Sequence, residues 1–290
     1  MVTQKPCCGG PMVYPLPTAH YLLPVTHFQL PYRFSQRGMR NMTTATELAG
    51  KVALITGASR NIGRAIALSL ADAGAAVAIN TRASRDDAEK VAQEVRGAGG
   101  QAEVFVADIA DAGAVKAMAE GVIRRFGRID ILVLNASVRT EKPFLELSYE
   151  EWRVPLAITL DGAFYCAQAC LPAMIKAGGG SIVTLGGMMA LSGAKRRVHG
   201  AVAKHGLVGM TRALAREFAE HGIRTNCIAP GQMNTARAAG RSERPPADLI
   251  PLGRRGESEE IATTVRFLCG PGASFINGQT IHVNGGQMMF

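Results

Sequence analysis

The residues best suited to chemistry begin at Thr56-Gly57-Ala58-Ser59-Arg60-Asn61-Ile62-Gly63. Gly57 lets the chain leave a strand in a tight turn, and Gly63 lets the helix that follows start close against the sheet. Backbone N–H groups at that helix start, with the dipole behind them, form a site for a phosphate. A strand, a glycine turn and a helix make half of a dinucleotide-binding unit. Other reactive types are sparse. The six cysteines (Cys7, Cys8, Cys166, Cys170, Cys227 and Cys269) show no metal-ligand spacing. No metal is expected, and the thiols read as reduced, in a cytoplasmic setting.

The elements that must hold this loop follow from the apolar pattern. Lys51–Ile55 reads as a buried strand, and Ile62, Ile66 and Leu70 form the inner stripe of a helix that Gly74 ends. Strands are predicted at 75–80, 102–107, 129–134, 181–185, 223–228 and 280–283. Helices are predicted at 84–96, 111–126, 150–176, 198–221 and 258–268. Strands alternating with helices indicate an α/β fold: a single doubly wound parallel sheet over 44–290, with helices on both faces. Ligands of such sheets bind at the carboxyl ends of the strands. That singles out Gly57–Ile62, Asn80–Arg82, Asp108, Asn135–Ser137, Leu185–Met189 and Pro230–Thr235.

Composition narrows the function classes. The net charge is +9, and Lys5, Arg33, Arg37 and Arg40 precede the first acid, Glu47. What remains is mildly basic, with no basic run interleaved with aromatics, so no nucleic-acid partner is expected. Apolar stretches are broken by Gly, polar or charged residues before the ~20 residues of a membrane span, so no membrane partner is expected. Residues 1–43 are Pro-rich and aperiodic, and read as a disordered or mis-assigned extension rather than a folded unit.

Together the strand-end motifs resemble the short-chain dehydrogenase/reductase family from about Leu48 to the C-terminus. Thr56–Gly63 is similar to its T-G-x-x-x-G-x-G loop, with Asn61 for the middle glycine. Leu134-Asn135-Ala136-Ser137 is similar to N-N-A-G, Pro230-Gly231 with Thr235 matches P-G-x-x-x-T, and Asn284-Gly285-Gly286 resembles the final turn. The resemblance implies a Rossmann domain with a nicotinamide cofactor held by Gly57, Ser59, Arg60, Asn61, Ile62 and Gly63. Asp108 and Ile109 would lie at the adenine, and Asn135, Ala136 and Ser137 along the ribose. Pro230, Gly231, Met233 and Thr235 would meet the nicotinamide end. The second strand ends Asn80-Thr81-Arg82, without the carboxylate that binds a ribose 2′-hydroxyl. Arg82 and Arg60 could pair with a 2′-phosphate, which favours NADP(H) over NAD(H).

The chemical half of the family pattern is broken. Lys204 stands where the family's ribose-binding lysine belongs. Four residues earlier, in place of the proton-donating tyrosine, is Gly200; the serine position is Gly187, and the relay asparagine position is Thr159. A positioned general acid contributes ~10²–10⁴-fold, so something must replace it. His199 reads either as an acid near neutral pH or as a polar helix-start residue. Thr159, Thr184 and Ser192 are further hydroxyl donors. Val198-His199-Gly200-Ala201-Val202-Ala203-Lys204 also resembles the His-x-x-x-Ala-Lys segment of dienoyl-CoA reductase-like members.

The resemblance therefore implies an oxidoreductase with a non-standard proton donor, reducing a carbonyl or an activated C=C. The alternative is a nucleotide-binding protein of this fold without redox turnover. Arg139, Lys142, Arg196, Arg197, Arg237, Arg241 and Arg244 near the mouth suit a small anionic or thioester substrate. Met188, Met189 and Leu191 suit an apolar wall. Family members pair through the two long helices, which implies a homotetramer or homodimer.

Overall fold

Each strand of this protein must bury both faces, and the first shows how. In β1 (Val52–Ile55) all four residues are buried. Successive side chains point to opposite sides, so Val52 and Leu54 join one core layer while Ala53 and Ile55 join the other. The computed structural model describes residues 46–236 and 246–289. The reading of 1–43, and the mouth residues Arg237, Arg241 and Arg244, lie outside them.

After β1 come α1 (Asn61–Asp72), β2 (Ala76–Thr81), α2 (Arg85–Gly97), β3 (Ala102–Val106), α3 (Ala112–Phe126) and β4 (Ile131–Leu134). The second half holds α4 (Tyr149–Pro155), a π-helical turn (Leu156–Asp161), α5 (Gly162–Lys176), β5 (Gly180–Leu185) and α6 (Met188–Ser192). It closes with α7 (Val198–Glu217), β6 (Ile223–Pro230), α8 (Ser258–Cys269) and β7 (Thr280–Val283). The seven strands form one sheet in the order β3-β2-β1-β4-β5-β6-β7, and every pairing is parallel. The doubly wound reading holds. Strand order reverses between β1 and β4, which puts the topological crevice beside the glycine loop.

Residues of α1, α2 and α8 fill the core layer on one face, and residues of α3, α5 and α7 fill the other. Local chemistry starts and stops the helices. Asp111 caps α3 by accepting from Gly113 N (2.8 Å) and Ala114 N (3.1 Å). Ser148 and Glu151 form a capping box on α4. Gly127 ends α3 at φ 82°, in the left-handed region glycine tolerates best.

The helix predicted over 150–176 is present as one continuous helical run with a local widening: Pro155 removes a backbone donor, and the chain passes through the π-turn into α5. One expectation needs correction. The whole run Tyr149–Lys176 is long and apolar enough to cross a membrane by length and composition, contrary to the expectation that no stretch is. It is a core helix here, with Ala163, Cys166, Ala167, Cys170, Leu171 and Met174 buried in the layer. Burial pushes the Cys166 thiol up to about 12, which makes it a packing group rather than a nucleophile.

Two glycines on the site face are under opposite constraints. A Cβ on Gly63 would lie 2.3 Å from the Gly57 carbonyl oxygen, whereas one on Gly200 would meet nothing within 4 Å. Gly63→Ala should therefore lower stability by about 1–3 kcal/mol through overpacking. Gly200→Ala, within α7, should raise it by roughly 0.5–1 kcal/mol by restricting the unfolded chain. Urea unfolding of both variants checks this, and a change of the same sign in both would contradict it.

Candidate functional site

The glycine loop is strapped from both sides by side chains buried at strand ends. Thr56 Oγ1 donates to Val133 O (3.2 Å) and accepts from Asn135 N (3.0 Å) and Ala136 N (3.1 Å). Asn135 Nδ2 donates to Thr56 O (2.9 Å) and Gly57 O (3.0 Å). From the other side, Asn80 Oδ1 accepts from Gly57 N (3.3 Å), while its Nδ2 donates to Ala107 O (3.1 Å) and Phe105 O (3.3 Å). The Asn135 amide, assigned to the ribose from sequence, thus has a structural role, joining β4 to the loop. Thr56 and Asn80 act as straps, a role that the motifs alone do not assign to them. The available signal is a polar residue closing an apolar strand.

Gly57 adopts φ 62° and Asn61 φ 50°. Asparagine is among the few residues that enter the left-handed region readily, which explains how it replaces the glycine of the motif. The Asn61 side chain also reaches across the site. Its Oδ1 accepts from Ala236 N (3.0 Å) and its Nδ2 donates to Ala236 O (3.4 Å). The loop after β6 is thereby tied to the glycine loop, and it is also held by Gln232 N donating to Gln287 Oε1 (3.0 Å). Pro230, Gly231, Met233 and Thr235 all lie on this segment. Gly231 is required there, since a Cβ would fall 2.7 Å from Asn284.

Helix α1 has no side-chain cap and no acidic residue in its first turn, unlike α4, which has both. Its first N–H groups are left for an external acceptor. Ser59 and Ile62 lie on the same turn. At the adjacent end of β2, Thr81 is buried while Arg82 is exposed, as is Arg60 at the start of α1. Neither arginine has an ion-pair or hydrogen-bond partner among the described residues. Asp108 Oδ1 accepts from Ala110 N (3.0 Å), and Ile109 is buried against Gly162. Ser137 is exposed on the loop after β4.

Lys204, half-buried on α7, donates to Leu185 O (2.9 Å) and Gly186 O (2.7 Å) at the end of β5. Burial lowers its pKa to about 8, with Arg139 adding to the effect and Cys227 opposing it. Gly187 lies beside it: a Cβ there would be 3.5 Å from Lys204 Cδ. Thr159 is buried within the π-turn, an irregularity common at functional sites. Thr184 pairs instead with Thr211 (2.9 Å) inside the core. Ser192 bonds to Met188 O and Gly193 O at its own helix end. Neither of these two hydroxyls is a free donor.

His199 lies in the first turn of α7 and is fully buried there. Its Nε2 bonds the hydroxyl of Thr140, an exposed residue on the loop after β4. Its Nδ1 is buried without a hydrogen-bond partner among the described residues. Burial holds its pKa below the ordinary value, and Glu151 partly opposes that. The same loop is fastened twice more to the start of α7, by Lys142 N donating to Arg196 O (2.8 Å) and by an Arg197–Glu141 ion pair. Between them is a pocket of about 390 Å³ lined by Lys142, Phe144, Ala194, Arg196, Arg197 and Val198. No group of three metal-ligating side chains occurs among the described residues.

A family signature described as "Enoyl-(Acyl carrier protein) reductase" matches residues 57–288. The chain is 38% identical over 242 residues to the 3-oxoacyl-[acyl-carrier-protein] reductase FabG of Staphylococcus aureus, covering 82% of this chain and 98% of that one. It is 37% identical over 243 residues to the Escherichia coli K12 protein of the same name, covering 83% and 98%. A short-chain dehydrogenase from Burkholderia cenocepacia, solved in complex with NADP, superposes with a TM-score of 0.79 at 31% identity, covering 83% of this chain and 99% of that one. With the sheet order, the strapped glycine loop and Lys204 in place, these likenesses assign the chain to the short-chain dehydrogenase/reductase family.

Proposed function

We propose that this protein is an NADP(H)-dependent oxidoreductase that reduces a carbonyl or an activated C=C without the family's tyrosine. The observation that carries the cofactor assignment is the donor set at the end of β2 and the start of α1. An uncapped helix start faces the crevice, two arginines unpaired among the described residues flank it, and no carboxylate closes β2. That set suits a pyrophosphate and a 2′-phosphate. Relatives named as reductases, and a neighbour holding NADP, support the reading.

In this reading Ser59, Asn61, Ile62 and Gly63 hold the pyrophosphate, and Arg60 and Arg82 hold the 2′-phosphate. Asp108, with the Ile109 backbone, faces the adenine. Lys204 holds the ribose next to the nicotinamide. Bound there, the nicotinamide ring supplies a hydride. The chain's own residues must then steady the negative charge that appears on the substrate oxygen. With Gly200 and Gly187 contributing no side chain, we assign this to the Thr140 hydroxyl, oriented from behind by His199, with Thr159 in support and water as the proton source. The outward Val154, Phe164 and Val202, all exposed on α4, α5 and α7, support pairing of subunits through those helices.

The absent donors themselves favour one second reading, a nucleotide-binding protein without turnover. NADPH titration followed by absorbance decay with ketone, quinone and enoyl-thioester panels separates the two: tight binding without oxidation by any panel member selects the second.

Three outcomes are expected. Arg82→Ala should weaken NADPH about tenfold and leave NADH nearly unchanged, since a charge-assisted fork to phosphate is lost; fluorescence titration giving equal losses would remove the phosphate assignment. Restoring both donors in Gly187→Ser/Gly200→Tyr, where the backbone leaves room, should raise the ketone rate roughly 10²-fold or more, and an unchanged rate with NADPH binding intact would show that the site is not built as described. The third concerns pH. Lys204 is held at about 8 against 10.5 in the unfolded chain. Below that window it is charged in both states and its burial cost is present in full; between the two values the folded chain releases its proton first, and the cost fades. Unfolding free energy should therefore rise more steeply from pH 8 to 10.5 in the parent than in Lys204→Met, and equal slopes would refute this.

A further inference from the structure

The basic mouth identified from sequence separates into paired and unpaired cations once the side chains are placed. Lys142 pairs with Glu151 (3.2 Å). Arg197, only 15% exposed, pairs with Glu141. Both are neutralised: the first pair ties the loop after β4 to α4, and the second clamps that loop to the start of α7. Arg196 lies between them, exposed and without a partner among the described residues.

Its backbone is unusual as well. Arg196 adopts φ 62°, a left-handed conformation that only Gly, Asn and Asp enter routinely. Lys142 N, donating to its carbonyl at 2.8 Å, holds it there. A glycine would meet that backbone demand with less strain. The chain instead carries here the one pocket-lining guanidinium that is unpaired among the described residues, on a backbone held by the Lys142 N–H. Strained residues held by their surroundings concentrate at ligand-binding positions.

The rest of the pocket is apolar. Phe144, Ala194 and Val198 complete its lining, with Phe144 67% exposed on one side. Behind Arg197, the Met189 sulfur accepts from its Nη1 at 3.7 Å. The volume of about 390 Å³ lies within the range of small-molecule pockets.

We infer that this pocket is a substrate subsite for the charged end of an apolar molecule bearing a phosphate or carboxylate, and that Arg196 selects for that charge. The inference rests on the reductase reading for its link to turnover, but not for binding. It deepens that reading from any small carbonyl or enoyl compound to an anionic one. Arg196 supplies the fork that a phosphate or carboxylate accepts bidentately, and the apolar lining takes the adjoining chain.

The test uses the full chain saturated with NADPH, so that the glycine loop is not offered as an alternative phosphate site. Two pairs of probes differ only in charge: pantetheine 4′-phosphate against pantetheine, and a medium-chain 3-oxo carboxylate against its methyl ester. Calorimetry at low salt should show the anionic member of one pair binding about tenfold tighter, as expected for one charge-assisted contact. The pair that discriminates names the group. In Arg196→Gly the ratio should fall below about threefold, while the melting temperature stays level or rises because the strain is relieved. That second readout separates loss of charge from loss of fold. Affinities that are equal within both pairs in the parent, or discrimination that survives in Arg196→Gly, would overturn the inference. If NADPH fails to bind but charge discrimination and its loss in Arg196→Gly are both seen without it, the subsite stands and the reductase reading alone falls.

Discussion

The tightest constraint in this protein is the approach of α1 to the ends of β1 and β4. A single added carbon on Gly63 would collide with the Gly57 carbonyl, the Asn135 amide and Ala58 together. Everything at the crevice follows from that contact. The helix start is pressed against the sheet, so its donors point to one place. Thr56 and Asn135 hydrogen-bond the loop that intervenes, and Asn80 supports it from the neighbouring strand. The geometry of the glycine loop and helix start is thereby fixed by the fold itself. Such pre-organisation lowers the ordering cost of binding.

The same rigidity does not extend to the chemical half of the site. Gly200 faces open space and Gly187 leaves only van der Waals room for a Cβ beside Lys204, and Lys204 itself bonds to the carbonyls at the end of β5. The π-turn holds Thr159, buried. What this chain adds is a set of ties at the rim. Thr140 meets His199, Lys142 meets the Arg196 carbonyl, and Glu141 meets Arg197. The loop after β4 and the start of α7 therefore act as one wall, which gives the mouth a defined shape despite the two glycines.

Much of the fold is legible from residues alone because it depends on near neighbours in the chain. The continuous apolar run Val52–Ile55, the Gly57 turn and the helix start at Asp111 are each settled within a few residues. So is the interruption of the usual motif at Gly187 and Gly200. Other features depend on partners distant in the chain. Asn135 reads as a ligand-facing residue until its amide is found bonded to Thr56 and Gly57. Thr184 reads as a hydroxyl donor until Thr211 is found against it in the core. The run Tyr149–Lys176 reads as helix throughout but does not disclose that it widens into a π-turn after Pro155, because a proline is also tolerated in the first turn of a regular helix.

By itself, then, the amino-acid order determined the alternating parallel sheet, the place of the glycine loop, and the presence of glycine, without a side-chain donor, at 187 and 200. These are matters of period, of glycine's backbone freedom, and of which side chains exist at all. Tertiary structure alone decided which polar groups are occupied. His199 is sealed beneath Thr140, Lys142 and Arg197 are neutralised, and Arg60, Arg82 and Arg196 remain unpaired among the described residues. The physical reason is that a charge or a donor is available for a ligand only when no other group in the fold satisfies it. That depends on segments brought together from far apart in the chain.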